Sequence, residues 1–235
     1  MELKQIFNPL TGEFDFVGGG DENLAAAVAE LQDEVFPLTV TLGKSGNTTQ
    51  EYTALAVSTT LTWKATRKGE NKIPSSVKIT QGNSVILNTV PTSHTGTVSA
   101  SVTSKGTTTF TLTVTADGMT KTATASITRI LPLYAGFSSR GSTLNSIKGN
   151  LTKYVKTSFD DSMNITNGAD GKYLVVALPD GKTIKSITAG GFDVPMAAVT
   201  VDNSVRIGST AQSYNVYYSA NPIAAGTMSN LKITI

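Results

Sequence analysis

The 235-residue chain has no cysteine, one histidine and one tryptophan, and only 15% of it is charged. Without cysteine there can be no structural disulfide, no thiolate metal site and no cysteine nucleophile. An extracellular eukaryotic β-domain of this size would often carry a disulfide, so the absence points away from that origin. The single histidine, His94, lies in the loop Pro91-Thr92-Ser93-His94-Thr95-Gly96. No Gly-x-Ser-x-Gly nucleophile elbow accompanies it, and it reads as a solvent-exposed loop residue. A net charge of +2 with no basic run leaves no footprint for nucleic acid. No apolar run approaches ~18 residues, so no membrane insertion is expected. Glu2 and Lys4, with no apolar stretch after them, do not read as a signal peptide.

Acidic chemistry is equally thin. Adjacent Asp160 and Asp161 would point to opposite sides of a strand, which makes a poor general acid/base pair. They read as a turn after Phe159. The segment Asn167-Gly168-Ala169-Asp170-Gly171 has oxygen ligands but lacks the alternating acids and distal Glu of a calcium loop, and reads as a hairpin turn. Gly18-Gly19-Gly20 is followed by no Lys-Ser/Thr pair, so it is no phosphate loop. No catalytic residue, metal site or cofactor is expected, and the chain does not read as an enzyme.

What the chain does have is hydroxyl-rich alternation. Leu38-Thr-Val40-Thr-Leu42, Leu61-Thr-Trp63-Lys-Ala65, Val77-Lys-Ile79, Val98-Ser-Ala100-Ser-Val102, Phe110-Thr-Leu112-Thr-Val114 and Ala123-Thr-Ala125-Ser-Ile127 each place apolar residues on one face. This is the period of a half-buried strand. Turn signals at Lys68-Gly69, Gln81-Gly82-Asn83, Lys105-Gly106 and Asp117-Gly118 separate the strands. About seven strands over residues 37–131 predict an immunoglobulin-like β-sandwich. Trp63 reads as a core anchor, with sugar stacking as the alternative. Leu131–Gly136 reads as a junction, and Leu144, Ile147 and Leu151 allow a short helix. The continuous apolar run Tyr173–Leu178 predicts a central strand in a second, C-terminal β-domain over 132–235. Tyr214 and Tyr218 fall on one face of a later strand and Tyr217 on the other. One set should be core, and the other could be a binding or subunit-contact surface, with a glycan platform as the alternative.

The first 36 residues differ from the rest. Met1–Val17 gathers apolar and aromatic residues around a turn at Asn8-Pro9-Leu10-Thr11-Gly12, and the three glycines at 18–20 follow as a hinge. Residues 21–36 predict a short helix. Asp21 can cap it, and Leu24, Val28, Leu31 and Val35 are spaced 4, 3, 4. That seam suits an oligomerising coiled coil, with docking on the chain's own β-domain as the alternative. Such a helix is marginal alone and needs partners.

Two segments carry a family resemblance. Phe7-Asn8-Pro9-Leu10-Thr11-Gly12-Glu13-Phe14-Asp15-Phe16-Val17-Gly18-Gly19-Gly20 resembles the N-terminal peptide of structural proteins from Bacteroidetes-infecting, crAss-like bacteriophages. The C-terminal half is similar to their fibre domains at Ile130–Gly136, Lys172–Pro179, Gly191-Phe192-Asp193-Val194-Pro195 and Tyr214–Ser219. The resemblance implies a homotrimeric virion fibre, a capsid head fibre in preference to a tail fibre. It would be made in the bacterial host cytoplasm and displayed on the virion surface. Residues 1–20 would be an extended anchor in which Phe7, Asn8, Pro9, Leu10, Thr11, Gly12, Phe14 and Phe16 dock on a capsid, tail or baseplate protein. The distal β-domain, with Tyr214, Tyr217 and Tyr218, would meet a host-surface glycan or protein. The alternative is a free carbohydrate-binding or adhesin module.

Overall fold

A computed structural model describes residues 36–157, 159 and 162–235, together with the backbone of residues 5–8 and 13–16. The fold is mostly β. In the N-terminal peptide, β1 (Gln5–Asn8) pairs antiparallel with β2 (Glu13–Phe16), with Phe7 opposite Phe14. The peptide expected to be extended is therefore a hairpin in its described part. Pro9, Leu10, Thr11 and Gly12 lie outside the described residues. So do residues 21–35 of the helix expected over 21–36, with Leu24, Val28, Leu31 and Val35, while Phe36 is described and lies in a bend.

Two sheets follow. In the first, β3 (Leu38–Lys44) pairs with β5 (Val57–Arg67), Leu38 opposite Arg67 and Lys44 opposite Leu61. The short β6 (Glu70–Asn71) returns along β5 through the Lys68-Gly69 turn, whose residues both have positive φ (58° and 76°). β9 (Thr95–Val102) also pairs with β5. The second sheet has the order β4-β11-β10-β7-β8. Its strands are β4 (Thr49–Glu51), β7 (Ser76–Gln81), β8 (Ser84–Thr89), β10 (Gly106–Ala116) and β11 (Met119–Ile130). All its recorded registers are antiparallel except that of β4, which runs parallel to β11 with Thr49 opposite Thr128 and Glu51 opposite Ile130.

The period-two pattern sets which face is buried. Along β5, Leu61, Trp63 and Ala65 are buried while Thr60, Thr62 and Lys64 are exposed. Val77 and Ile79 on β7 and Phe110, Leu112 and Val114 on β10 are fully buried. Each such large side chain contributes roughly 1.5–3 kcal/mol on burial. Trp63 is a core anchor, and its ring dictates a neighbour. A Cβ on Gly96 would stand 2.8 Å from Trp63 Nε1, so only glycine lets β9 pass the indole. Phe36 is tied in at its carbonyl, 3.1 Å from Arg67 Nε, and by Lys68 Nζ, 4.4 Å above its ring.

By compactness the chain forms two units. One takes in the described residues of Met1–Lys44 with Leu61–Val98 and Phe110–Ala125. The other takes in Ser45–Thr60, Ser99–Thr109 and Ser126–Ile235.

The second unit contains the three-layered C-terminal half. Its central sheet has the order β13-β12-β15-β19-β18. The strands are β12 (Leu133–Ser138), β13 (Thr152–Tyr154), β15 (Tyr173–Pro179), β18 (Thr200–Ile207) and β19 (Thr210–Tyr218). One face meets the short helix α1 (Leu144–Ile147) and the 3-10 turn that follows: Leu144, Ile147 and Leu151 pack with Tyr134, Val175, Ala177, Tyr214, Val216 and Tyr218. The other face packs Leu133, Leu174, Val176, Leu178 and Tyr217 against Ile165, Ile187, Leu231 and Ile233. Those four come from a second sheet, order β14-β20-β16-β17, built of β14 (Met163–Asn167), β16 (Ser186–Ala189), β17 (Phe192–Asp193) and β20 (Gly226–Thr234). Tyr173–Leu178 reads as a continuous apolar run because β15 lies in the middle of the middle layer.

The same unit holds a buried cation. Arg129 continues the inward face of β11 after Ile127, and its side chain is fully buried. Nη1 donates to the carbonyls of Val102 and Thr103 at 3.0 and 2.9 Å. Nη2 donates to the carbonyls of Thr53 and Leu55 at 3.2 and 2.7 Å, and to Thr53 Oγ1 at 3.3 Å. The guanidinium carbon lies 5.2 Å from the centre of the Tyr52 ring, and among the described residues Nε has no hydrogen-bond partner. Arg129→Met would leave four backbone carbonyls without these donors. The expected loss is about 3–5 kcal/mol, read as a lower urea midpoint, with Arg129→Lys recovering only part because an ammonium cannot fork across both pairs.

Candidate functional site

The three tyrosines expected to offer a surface are all interior. Tyr214 and Tyr218 lie on one face of β19 in the helix-side core, and Tyr217 lies in the core beneath the other face. β19 pairs with β15 on one side and β18 on the other, in a sheet covered on both faces, so these tyrosines are buried whichever way they point. This corrects the expectation of host-surface contact at Tyr214, Tyr217 and Tyr218. Their hydroxyls make internal bonds. Tyr214 Oη donates to the Pro132 carbonyl at 3.2 Å, Tyr218 Oη donates to the Ser142 carbonyl at 3.1 Å, and Tyr217 Oη accepts from the Ile184 N–H at 3.4 Å. Burial raises the Tyr214 phenol far above its ordinary value, and also raises those of Tyr134 and Tyr218.

A cleft of about 610 Å³ opens in this unit. One wall comes from the end of β12 (Gly136, Phe137, Ser138) with Ser139. The facing wall comes from β14 (Asn164, Ile165, Thr166, Asn167) and the Gly168-Ala169 bend. Ser142, Ser146, Ile147, Asn150 and Thr152 close it from the helical side, and Lys172 stands at its edge. Hydroxyls and amides dominate, and among the described residues no carboxylate lines it. Asn167 is buried and held from both ends of its amide. Nδ2 donates to the carbonyls of Ile223 and Ala224 at 2.9 and 3.2 Å, and Oδ1 accepts from the Ala169 N–H at 3.3 Å. Lys172 Nζ donates to Ser139 Oγ at 2.9 Å. Gly136 lets β12 approach the 3-10 turn, since a Cβ there would sit 3.1 Å from Leu151 Cα.

The helical wall is fixed from a distance. Thr143, before α1, makes no side-chain cap. The cap comes instead from Asp202 on β18, whose Oδ2 accepts from the Leu144 N–H at 2.9 Å, while Ser204 Oγ accepts from the Asn145 N–H at 2.9 Å. Ser204 in turn donates to Asp202 Oδ1 through its hydroxyl (2.5 Å) and its N–H (2.8 Å). Partial burial pushes the Asp202 carboxyl upward, but the bonds from Ser204 and from the Leu144 and Ser204 N–H groups outweigh it and hold the group below its usual value.

The remaining candidates do not converge. His94 is half-buried rather than exposed, because its carbonyl accepts from the Ala65 N–H at 2.9 Å and so holds the start of β9 to β5. Asp160 and Asp161 lie outside the described residues. Asn167–Gly171 is not a hairpin turn: it carries the chain from β14 in one sheet to β15 in the other, with Asp170 Oδ1 accepting from the Ala225 N–H at 2.7 Å. Asp117 sits between Arg67 and Lys72 at 2.7 and 2.8 Å, and their hydrogen bonds, that of Lys72 first, lower its carboxyl. Among the described residues no group of three or more His, Cys, Asp or Glu could hold a metal ion. The cleft went unseen in the sequence because its lining is Ser, Thr and Asn drawn from five separate segments, in a chain rich in those residues throughout.

No protein-family model, curated protein or solved structure matches this chain.

The Asp202 cap has a pH signature. A carboxyl lowered in the folded state contributes stability that is present above its unfolded value and is lost as pH falls through the folded one. Asp202→Ala should therefore cost about 1 kcal/mol near neutral pH, and the gap to the unsubstituted protein should close in acid. Urea midpoints of both proteins, measured from neutral pH down into the carboxylate range, check this.

Proposed function

We propose that this chain is a virion fibre protein, docked on a phage particle by residues 1–20, assembled as a homotrimer through residues 21–36, and displaying two β-domains towards the host. The observation that carries the reading is the N-terminal hairpin. A self-paired β1–β2 ribbon, set off by Gly18-Gly19-Gly20 and followed by a heptad seam, is laid out as an adaptor rather than as part of a core. A two-stranded hairpin is marginal alone and gains stability by packing on something else. The capsid is favoured over the tail by the short seam and small size.

Residues 37–131 form an immunoglobulin-like sandwich and 132–235 the distal domain. Strand order supports the first part: β3, β5 and β9 share one sheet and β8, β7, β10 and β11 the other, with β4 added in parallel at the β11 edge. Trp63 supplies the aromatic anchor that a disulfide accompanies in antibody domains.

A second reading, a free carbohydrate-binding module, is favoured by the polar cleft alone. Two measurements separate the readings. Deleting residues 1–20 should leave a folded, soluble oligomer that no longer joins particles, and normal decoration by the truncated protein would sink the fibre reading. Light scattering on the full chain should give about three times its monomer mass, whereas a clean monomer at micromolar concentration favours the free module.

A further inference from the structure

We propose that the cleft between β12 and β14 binds an acidic saccharide, with Lys172 receiving the sugar carboxylate. The biological setting comes from the adhesive reading above, and the ligand class from the cleft's own chemistry. Small-molecule pockets of roughly 300–1,000 Å³ are mostly apolar with a few polar groups. This one has the right size and the reverse lining. An apolar ligand would strip water from the hydroxyls and amides around it and leave them unpaired, at about 1–3 kcal/mol each. A polyol returns those bonds. Among the described residues, none is hydrogen-bonded to the side chains of Asn150 or Thr152, so both are available to a ligand.

Two further features narrow the class. Phe137 lines the cleft while packing on the core beneath it, and so adds apolar surface to a mostly polar lining, which the C–H face of a sugar ring can use. Among the described residues Lys172 is the one charged side chain in the lining, and its ammonium is already positioned by Ser139 Oγ. An anion arriving there meets a donor held in place, and no carboxylate among the described lining residues repels it, which favours a uronate over a neutral sugar. Asn167 cannot swing into the ligand's space, because both ends of its amide are engaged. The β14 wall is thus fixed before binding.

The test is a nitrogen-15 TROSY titration of the full chain with oligogalacturonate and oligoglucuronate, and with cello-oligosaccharide as the neutral control. At least one uronate should produce saturable shifts confined to residues 136–152 and 164–172. Lys172→Gln, a half-exposed position whose spectrum should otherwise be unchanged, should weaken uronate binding about tenfold and leave the neutral control where it was. Asn150→Trp, which places an indole in the cleft from an exposed lining position, should abolish the shifts. Saturation elsewhere, no binding of either uronate, equal affinity for the neutral control, or indifference to Lys172→Gln overturns the assignment. Failure here leaves the virion reading standing, since the titration needs no particle, and failure of the decoration experiment leaves the cleft untouched.

Discussion

The second compact unit is organised around one buried guanidinium. Arg129 reaches three stretches of chain that no strand ladder joins to one another at these atoms: Thr53 to Leu55, Val102 to Thr103, and β11 itself. Its ring partner, Tyr52, packs on the core formed by Leu131, Tyr134, Val205 and Tyr214. One side chain therefore fixes the path of the irregular 52–55 segment and, through Tyr52, passes that constraint to the C-terminal core. The partners are carbonyl oxygens, not a carboxylate. A planar fork suits this because it satisfies two pairs of backbone acceptors in different directions, which a hydrophobic replacement of the same volume cannot do.

Much of the β architecture was legible in the sequence, and the reason is local. Leu61-Thr-Trp63-Lys-Ala65 and Phe110-Thr-Leu112-Thr-Val114 declare their faces in five residues each, and both are found as written. Strands were missed where burial does not alternate. β4 has no apolar residue and exists by pairing with β11, and β8 leaves Val85 half-exposed. The tyrosine expectation failed for a non-local reason. Alternation on β19 tells which side chains share a face, but not that a second sheet covers one face and a helical segment the other. The cleft was illegible for the same reason. Asp202 caps α1 across 58 positions of sequence, and Ser138, Asn150 and Asn167 meet only after folding.

Hydroxyl side chains have two roles in this chain. On exposed strand faces they replace charge as the wet surface, often in cross-strand pairs such as Thr107 with Thr128 (2.9 Å) and Thr166 with Thr227 (3.1 Å). In the cleft the same chemistry faces inward, and its walls are set by bonds made elsewhere: the Asn167 amide, the Asp202 cap and the Gly136 approach. The division matters for substitution. Changing a lining hydroxyl alters what the cleft can hold, whereas changing a wall-fixing group alters where the lining stands.

The parallel pairing of β4 with β11 has a mechanical meaning. β4 precedes most of the first unit's strands in the chain and β11 ends just before the C-terminal layers, yet the two lie side by side and point the same way. Tension applied along the chain, from ahead of β4 to beyond β11, pulls these strands past each other instead of peeling them apart. The ladder at Thr49–Thr128, Gln50–Arg129 and Glu51–Ile130 is then loaded together rather than one bond at a time. The middle rung of that ladder is Arg129, whose side chain is anchored in the interior. A load across that span is therefore carried by a clamp pinned to the interior at its middle rung.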